Sequence, residues 1–210
     1  SYPRELYEII VVDACSTDNT GKVLDTYRSD LKIVYQKERH GLAAGCNIGI
    51  RKCSGQYVVR LDADDVFCQN ILLIESLFLD ENPDIDFVYP GYFVRIGGIQ
   101  KRICLLPFNV TEIYQRGDFL GGGTMYRRKV FDRYGYYDED FKNIENYEFV
   151  IRLIKNGAKG LHIQLPLFIY NYHEDSMGAD MQSMKEAWRL IENKHGIKCD
   201  FGKYHPRNIN

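Results

Sequence analysis

Three aspartates, Asp62, Asp64 and Asp65, lie within four residues of one another at the end of an apolar run. The run itself, residues 56–61, is rich in β-branched and aromatic side chains, which predicts a buried strand. In an extended backbone Asp62 and Asp64 point to the same side, roughly 7 Å apart. At an effective dielectric constant of about 20, they repel each other by about 2 kcal/mol. A stable fold has to offset this charge with a metal ion, with Arg or Lys partners, or with open water.

Two kinds of chemistry suit carboxylates at this position. In open α/β sheets, ligands bind just beyond the carboxyl ends of the strands. Mg²⁺ or Mn²⁺ held there by one or two carboxylates binds the phosphates of a ligand. Alternatively, the aspartates cap the helix that follows, because Asp is common at a helix N-terminus. The stretch alone is compatible with both, so the surrounding elements have to be considered.

Strands and helices alternate along the first 90 residues. Continuous apolar runs predict parallel strands that are buried on both faces. Small and apolar residues at helical spacing, bounded by N-cap residues, Gly or Pro, predict helices between them. The predicted strands cover residues 8–13, 32–36, 56–61 and 86–89, and the predicted helices cover about 16–29, 41–53 and 69–81. This alternation predicts an α/β fold with a doubly wound sheet.

The second half of the chain is less regular. Its predicted elements are an antiparallel stretch over 91–106 with a Gly97-Gly98 turn, a glycine loop and strand over 121–126, helices over 127–134, 145–156 and 183–193, and short strands over 161–163 and 167–172. No repeat, low-complexity tract or linker separates the halves. We therefore expect one domain over residues 1–210, with a nucleotide-binding half (1–90) and a more irregular half (91–210).

Composition narrows the class of protein. A length of 210 residues permits one domain with a substantial core. The net charge of -2 argues against binding to nucleic acid, and no apolar run approaches the length of a transmembrane helix. The six cysteines include no C-x-x-C pair, which argues against a zinc site and indicates reduced thiols. We expect a cytoplasmic protein.

Two further features could bind a ligand. Asp13 ends the first strand, where a carboxylate can accept hydrogen bonds from a base or a ribose hydroxyl, or can act as an N-cap. Gly121–Gly123 either let the backbone approach a sugar or phosphate closely or form a tight connection. The chain contains neither G-x-x-x-x-G-K-[ST] nor G-x-G-x-x-G, which disfavours a P-loop NTPase and a dinucleotide dehydrogenase.

Two residues of the second half could take part in chemistry. Glu145 opens a predicted helix, where the helix macrodipole favours a carboxylate and where a carboxylate could also act as a general base. His173 follows a predicted strand and could be a further metal ligand, because imidazole binds Mn²⁺ and other transition metals. A lone histidine is more often structural, so both alternatives stay open.

The order of these motifs resembles family 2 glycosyltransferases of the GT-A fold. The succession is E-I-I-V-V-D-x-x-S-T-D-N-T, H-G-L-A-A-G-C-N-I-G-I, G-Q-Y-V-V-R-L-D-A-D-D, G-G-G-T-M-Y-R-R-K-V-F, I-E-N-Y-E-F-V-I-R-L and Y-N-Y-H. It spans residues 5–178. The resemblance implies a Rossmann-like mixed sheet and an enzyme that moves a sugar from a nucleotide-diphospho-sugar to an acceptor hydroxyl, with inversion of the anomeric centre.

The resemblance also implies roles for individual residues. Asp13 would contact the nucleotide base and Asp62 the ribose or sugar. Asp64 would bind a divalent metal, Mn²⁺ or Mg²⁺, with His173 as a further ligand. Gly122 and Gly123 would form the glycine loop on the acceptor side. The acceptor would be a saccharide, a lipid-linked molecule or another hydroxyl compound, and peripheral association with the inner face of the membrane would fit a lipid-linked one.

The chain departs from the family pattern at four places. Asn146 stands where the family has the aspartate that acts as general base, and an amide cannot accept the proton; Glu145 is its neighbour. Ala14 and Cys46 replace a second acidic residue and an arginine. The family's first strand would precede Ser1, so we expect an N-terminal strand to be missing.

Two other functions compete with the transferase. A catalytically degenerate relative would bind a nucleotide-sugar, or only a partner protein, without turnover, and Asn146 favours this alternative. A nucleotidyltransferase that makes nucleotide-sugars also uses an acidic metal site. This chain, however, lacks a basic, glycine-rich start.

Overall fold

A computed structural model of the chain describes residues 2–105, 107–116, 121–173 and 180–198. The strands are β1 (Ile10–Asp13), β2 (Lys32–Tyr35), β3 (Tyr57–Val59), β4 (Val66–Phe67), β5 (Phe87–Ile96), β6 (Ile99–Ile103), β7 (Met125–Arg127) and β8 (Gly160–Asn171). The helices are α1 (Thr20–Thr26), α2 (Leu42–Lys52), α3 (Ile71–Glu81), α4 (Val110–Arg116), α5 (Lys129–Tyr134), α6 (Glu145–Lys155) and α7 (Met181–His195). The fold is therefore of the mixed α/β class that the alternation predicts.

The strands form two hydrogen-bonded sheets in the described part of the chain. β1 and β2 pair in parallel. The second sheet has the order β3-β7-β5-β8-β4, with β6 paired to β5. Its β5–β8 pair is parallel, whereas its other pairs are antiparallel. The mixed second sheet extends over both halves of the chain, so the two halves share one architecture.

Glu8 joins the amino ends of three strands. Its Oε2 lies 2.5 Å from Lys32 Nζ at the start of β2. Its Oε1 accepts hydrogen bonds from the backbone N–H groups of Ser54 (2.6 Å) and Gly55 (3.1 Å), just before β3. Burial alone would raise the pKa of Glu8, but the hydrogen bonds from Lys32, Ser54 and Gly55 lower it to about 2. Because the amino ends of β1, β2 and β3 meet, Asp13 and the Asp62–Asp65 turn lie at the opposite, carboxyl edge.

Helix α2 connects the two sheets. A Cβ atom at Gly49 would lie 3.4 Å from Val12 Cγ2, so the helix packs closely on β1. One turn earlier, Cys46 Sγ lies 3.7 Å from Arg60 Nη1, directly after β3. Helix α2 therefore borders both the β1 edge and the β3 edge.

The core consists of two apolar clusters on either side of the second sheet. The larger one surrounds α6, where the rings of Phe131 and Phe149 stack with centroids 5.3 Å apart. The smaller one lies under α3 and includes Ile71, Leu79 and Ile163. Most residues of α6 are buried, and this packing holds the N-terminus of the helix, where Glu145 and Asn146 lie, in place.

Three details differ from the sequence prediction. β8 is one strand of 12 residues, whereas two short strands were expected around Pro166. Pro166 lies opposite Gly91 of β5, where the pairing register of the two strands is irregular, and such an irregularity tolerates a proline within a sheet. The two-residue strand β4 is too short to produce an alternating pattern. The helix expected near 16–29 is limited to Thr20–Thr26.

The described residues were also compared with the expectations for membrane-spanning helices and for cysteines. In the part of the chain that the structure describes, no helix combines the length and the apolar composition needed to cross a bilayer. The five cysteines in that part, Cys15, Cys46, Cys53, Cys68 and Cys104, are all free thiols.

Glu75 carries an unpaired carboxyl group in the core, which makes a pH-dependent prediction possible. The residue is fully buried in α3, and neither carboxyl oxygen has a hydrogen-bond partner among the described residues. Burial raises the pKa of Glu75 well above its ordinary value. The unfolded chain therefore releases this proton at a lower pH than the folded chain, and folding stability falls as pH rises above the unfolded pKa.

We expect Glu75→Met to stabilise the protein at pH 7 by about 1–3 kcal/mol, the cost of an unpaired buried polar group. The gain should grow as pH rises above about 4.5. Urea unfolding between pH 4 and pH 8 measures it. Glu75→Gln is the matched control, because it removes the titration and keeps an unpaired polar group. If the difference in unfolding free energy between Glu75→Met and the wild-type protein stayed constant over this pH range, the prediction would be wrong.

Candidate active site

Arg60, directly after β3, is the centre of the site. Its Nε lies 2.8 Å from Asp62 Oδ1 and its Nη2 donates to Asp62 Oδ2 at 2.9 Å. Its Nη1 donates to Glu145 Oε1 at 2.7 Å and to Asn146 Oδ1 at 3.1 Å. One guanidinium thus binds the first aspartate of the acidic turn and the first two residues of α6. Arginine is one of the cations that the repulsion among the aspartates requires.

Helix α6 begins in a strained conformation that directs its first two side chains to Arg60. Ile144, which precedes the helix, has φ 53° and ψ 27°, in the left-handed region. A β-branched residue is rarely found there, and such outliers cluster at functional sites. Ile144 is buried, so the surrounding core holds it in place. Glu145 is 2% exposed and Asn146 is half-buried, and both face the same guanidinium.

The acidic turn is also bound to the end of β8. His173 Nε2 lies 3.0 Å from Asp64 Oδ2. Asn171 donates its side-chain Nδ2 to the Asp64 carbonyl and its backbone N–H to Asp65 Oδ1, the latter at 2.9 Å. Asp64 and His173, the two predicted metal ligands, are therefore neighbours although they are far apart in the sequence.

Asp65 is the buried member of the acidic turn. Burial raises its pKa to about 7, with the negative charges of Asp64 and Asp62 adding to the effect and the Asn171 N–H opposing it. A Cβ atom at Gly122 would lie 3.6 Å from Asp65 Oδ2. The glycine loop thus borders the acidic turn directly.

Gly123 fixes the glycine loop against the end of β3. Its backbone N–H donates to the Arg60 carbonyl at 3.2 Å. It has φ +77°, and a Cβ atom there would lie only 2.8 Å from Phe168 Cδ1. Only glycine suits both the left-handed backbone and the close approach of the ring.

We expect Gly123→Ala to lower the free energy of unfolding by about 1–3 kcal/mol, because it adds both backbone strain and a steric clash. Chemical denaturation measures the loss. Gly121→Ala is the matched control, since nothing lies within 4 Å of a Cβ atom at Gly121 and its φ is not positive. Equal stability of the two variants would contradict the packing around Gly123.

Asp13 lies at the same edge but apart from this network. It is 8% exposed, and its Oδ1 accepts a hydrogen bond from the Ser16 backbone N–H at 3.1 Å and another from the Ser16 hydroxyl. Cys15 has φ 63°, a left-handed conformation in the turn after β1, and its thiol donates to the Gln36 carbonyl at 3.0 Å. Asp13 belongs to the β1–β2 sheet, and its side-chain hydrogen bonds go to Ser16.

The structure thus brings seven of the eight predicted site residues into one network. These seven are Asp62, Asp64, Gly122, Gly123, Glu145, Asn146 and His173, and the eighth, Asp13, lies at the neighbouring strand end. Their roles toward a ligand remain predictions.

Asp64 and His173 would hold a divalent metal. They present a carboxylate oxygen and an imidazole nitrogen 3.0 Å apart, a pair of ligand types that suits Mn²⁺. Among the described residues no group of three or more His, Cys, Asp or Glu side chains could hold a metal. A metal with only two protein ligands completes its shell with water and phosphate oxygens, as Mg²⁺ does in phosphate-binding sites.

Arg60 and Asn171 were not predicted as site residues from the sequence. Arg60 precedes Asp62 by two residues, so in an extended backbone both side chains lie on the same side. A charged residue inside an otherwise apolar strand was the available signal. Asn171 pairs with residues more than 100 positions earlier, and no local pattern could reveal this contact.

The chain is similar to one known family model and to several curated proteins. The family model described as "Glycosyl transferase family 2" matches residues 1–135. The poly(ribitol-phosphate) beta-N-acetylglucosaminyltransferase TarS of Staphylococcus aureus is 32% identical over 201 residues, which cover 90% of this chain and 35% of TarS. An uncharacterized glycosyltransferase of Haemophilus influenzae is 23% identical over 205 residues, which cover 91% of this chain and 68% of that protein.

Solved structures share the fold. TarS in complex with UDP-GlcNAc superimposes with a TM-score of 0.75 at 22% identity, covering 92% of this chain and 58% of that one. The mannosyltransferase PcManGT of Pyrobaculum calidifontis, in complex with GDP-Man and Mn²⁺, superimposes with a TM-score of 0.62 at 20% identity. That match covers 92% of this chain and 54% of the other. The chain thus spans little more than half of either solved protein.

Proposed function

The chain belongs to glycosyl transferase family 2, and on this premise we propose that it transfers a sugar from a nucleotide-diphospho-sugar to an acceptor hydroxyl, with inversion of the anomeric centre. The family resemblance and the GT-A fold that it implied are both confirmed. The observation that carries the proposal is the juxtaposition of Asp62, Asp64 and His173 at the carboxyl edge of the strands.

The donor would lie along this edge. Asp13 would accept a hydrogen bond from the nucleotide base, and Asp62 would accept one from the ribose or the sugar. Arg60 holds Asp62 with two contacts, so its carboxylate is in place before the donor binds. Support comes from Glu8, which joins the start of β2 to the residues just before β3, so that the two carboxylates follow the far ends of strands whose starts are linked.

Asp64 and His173 would hold the divalent metal, Mn²⁺ or Mg²⁺. When bound, the metal would neutralise the diphosphate as negative charge develops on the leaving group. The two side chains are each about half exposed, so they can release each other and reach a ligand without unfolding their strands. A solved structural neighbour contains Mn²⁺ together with a nucleotide-sugar, which supports this assignment.

The acceptor would approach from the side of Gly122 and Gly123. The glycine loop lies against Asp65 and the end of β3, next to the proposed donor phosphates. TarS is named for transfer to poly(ribitol-phosphate), and on this basis we propose a saccharide, a lipid-linked molecule or another polyhydroxyl compound as acceptor.

One observation favours a second candidate function, binding of a nucleotide-sugar without turnover. Asn146 accepts a hydrogen bond from Arg60 through its side-chain oxygen, and an amide cannot take the proton of an acceptor hydroxyl. Glu145 is nearly fully buried, and its Oε1 is bound to Arg60 at 2.7 Å. The groups proposed to bind the donor are therefore all present, whereas no residue at the start of α6 is free to act as the general base.

Titration calorimetry with the full-length protein tests the proposal. UDP and GDP are each titrated with and without Mn²⁺. We expect one of them to bind in a Mn²⁺-dependent manner, because the protein supplies only two of the metal's ligands and the diphosphate supplies others. If neither nucleotide binds in the presence of Mn²⁺, the donor site is wrongly assigned.

A further inference from the structure

We propose that Arg60 is a positioning residue of the active site: it couples Asp62 to Asn146 and turns the Asn146 amide so that the N–H₂ group, and not the oxygen, faces the donor. The inference rests on the proposed function, because it assigns a role toward a bound nucleotide-sugar. It concerns a residue that lies outside the predicted catalytic and metal-binding groups.

Arg60 is placed to do this because its hydrogen-bonding capacity is used in two directions. The Nε and Nη2 atoms face Asp62, whereas Nη1 faces Glu145 and Asn146. The guanidinium is planar and its donors have a fixed fork geometry. A movement of Asp62 is therefore transmitted to Asn146 through one rigid group.

The orientation of the Asn146 amide follows from the chemistry of arginine. A guanidinium has five N–H donors and no acceptor, so only the oxygen of an amide can face it. The contact is Nη1 to Oδ1 at 3.1 Å. Asn146 Nδ2, with its two N–H groups, then points away from Arg60, and it has no acceptor among the described residues. Because Asn146 is half-buried, these N–H groups are accessible to a ligand.

Glu145 has the role of charge partner in this arrangement. Burial alone would lower the pKa of Arg60, but the neighbouring carboxylates of Asp62 and Glu145 raise it well above its ordinary value. Arg60 is thus a permanent cation between two carboxylates. Glu145, at 2% exposure, cannot reach an acceptor hydroxyl. We therefore assign Glu145 to the support of Arg60 and not to proton transfer.

The strain at Ile144 supports the same conclusion. With φ 53° the residue breaks the backbone direction immediately before α6, so that Glu145 and Asn146 both reach one guanidinium. Such strain persists only where the surrounding structure over-determines it. The buried Ile144 side chain and the buried first turn of α6 provide that constraint.

The test uses a paired substitution, because Arg60→Met alone would leave two carboxylates without their cation and could unfold the protein. Arg60→Met with Glu145→Met removes the buried cation together with its buried carboxylate, and leaves unpaired only Asp62, whose side chain is 31% exposed. Arg152→Met with Glu148→Met is the matched control: it is another buried pair, at 3.1 Å, and the arginine side chains are 18% and 19% exposed and the glutamates 2% and 0%. Circular dichroism verifies that both double variants fold.

The readout is binding of UDP-GlcNAc and of GDP-mannose in the presence of Mn²⁺, by titration calorimetry on full-length protein. We expect the Arg60/Glu145 variant to bind at least about tenfold more weakly than wild type, and the Arg152/Glu148 variant to stay within about twofold. Equal effects of the two double variants would reduce Arg60 to a structural residue and overturn the inference. Absence of binding to wild-type protein would instead refute the proposed function itself.

Substitutions of Asn146, measured in the same binding assay, provide a second test of the inference. Asn146→Asp keeps the acceptor oxygen for Arg60 but has no N–H₂ group, so donor binding should weaken about as much as in Asn146→Ala. A residue that merely satisfies Arg60 would tolerate Asp and not Ala. In the Arg60/Glu145 background, Asn146→Ala should cost less than about twofold more, because the amide is no longer oriented. Full additivity of these effects would overturn the coupling.

Discussion

Asp64→Ala is expected to abolish Mn²⁺-dependent binding of the nucleotide. Asp64 and His173 are the two side chains that we propose as metal ligands, and their polar atoms lie 3.0 Å apart. Loss of groups that only support metal ligands typically costs 10–100-fold in affinity. Loss of the carboxylate ligand itself should therefore weaken binding by at least about 100-fold. Calorimetric titration of UDP or GDP in the presence of Mn²⁺ measures the effect.

Two controls separate this effect from a general loss of negative charge. Asp84→Ala removes an exposed carboxylate that pairs with Lys159 at 3.2 Å, and it should leave nucleotide binding unchanged. His173→Ala should weaken binding less than Asp64→Ala, because a neutral imidazole offsets less of the metal's charge than a carboxylate. Retention of Mn²⁺-dependent binding in Asp64→Ala would refute the metal assignment.

Asn146→Asp is expected to raise the rate of sugar transfer by about 10²–10⁴-fold, the usual contribution of a general base. The new carboxylate would lie beside Arg60, which favours its ionised form. The rate should rise with pH as this group loses its proton. Because the N–H₂ group is lost, the KM for the donor should rise while kcat increases.

Steady-state assays of the full-length protein with a panel of donors measure both parameters. Asn143→Asp is the control: Asn143 is buried close to the start of α6 and donates to the Ser183 hydroxyl, so the same charge is added nearby without contact to Arg60. An unchanged kcat in Asn146→Asp would mean that another group takes the proton. Transfer at a normal rate by the wild-type protein would exclude the binding-only alternative.

Much of the fold follows from local patterns. Glu8–Asp13 and Lys32–Gln36 are apolar runs, and the structure has strands at Ile10–Asp13 and Lys32–Tyr35. The amphipathic pattern after Glu145 became an 11-residue helix. These elements were predictable because burial of one face or of both faces leaves a period in the sequence. Elements without a period, such as the two residues of β4, were not.

The chemistry of the site was predictable to the extent that it depends on residue types. Carboxylates at a strand end, a glycine loop and a late histidine were identified, and the structure brings them together. Contacts of long sequence separation were not predictable, since Arg60 reaches Glu145 across 85 positions and Asp64 reaches His173 across 109. A sequence shows which groups are available, whereas only the packed fold shows which of them share a proton or a charge.

The most direct measurement is anomalous X-ray diffraction from crystals of the full-length protein grown with Mn²⁺ and the nucleotide that binds. We expect one manganese peak within coordination distance of both Asp64 and His173, with the nucleotide base next to Asp13. A bound nucleotide accompanied by a manganese peak elsewhere, or by none, would contradict the donor site described for this chain.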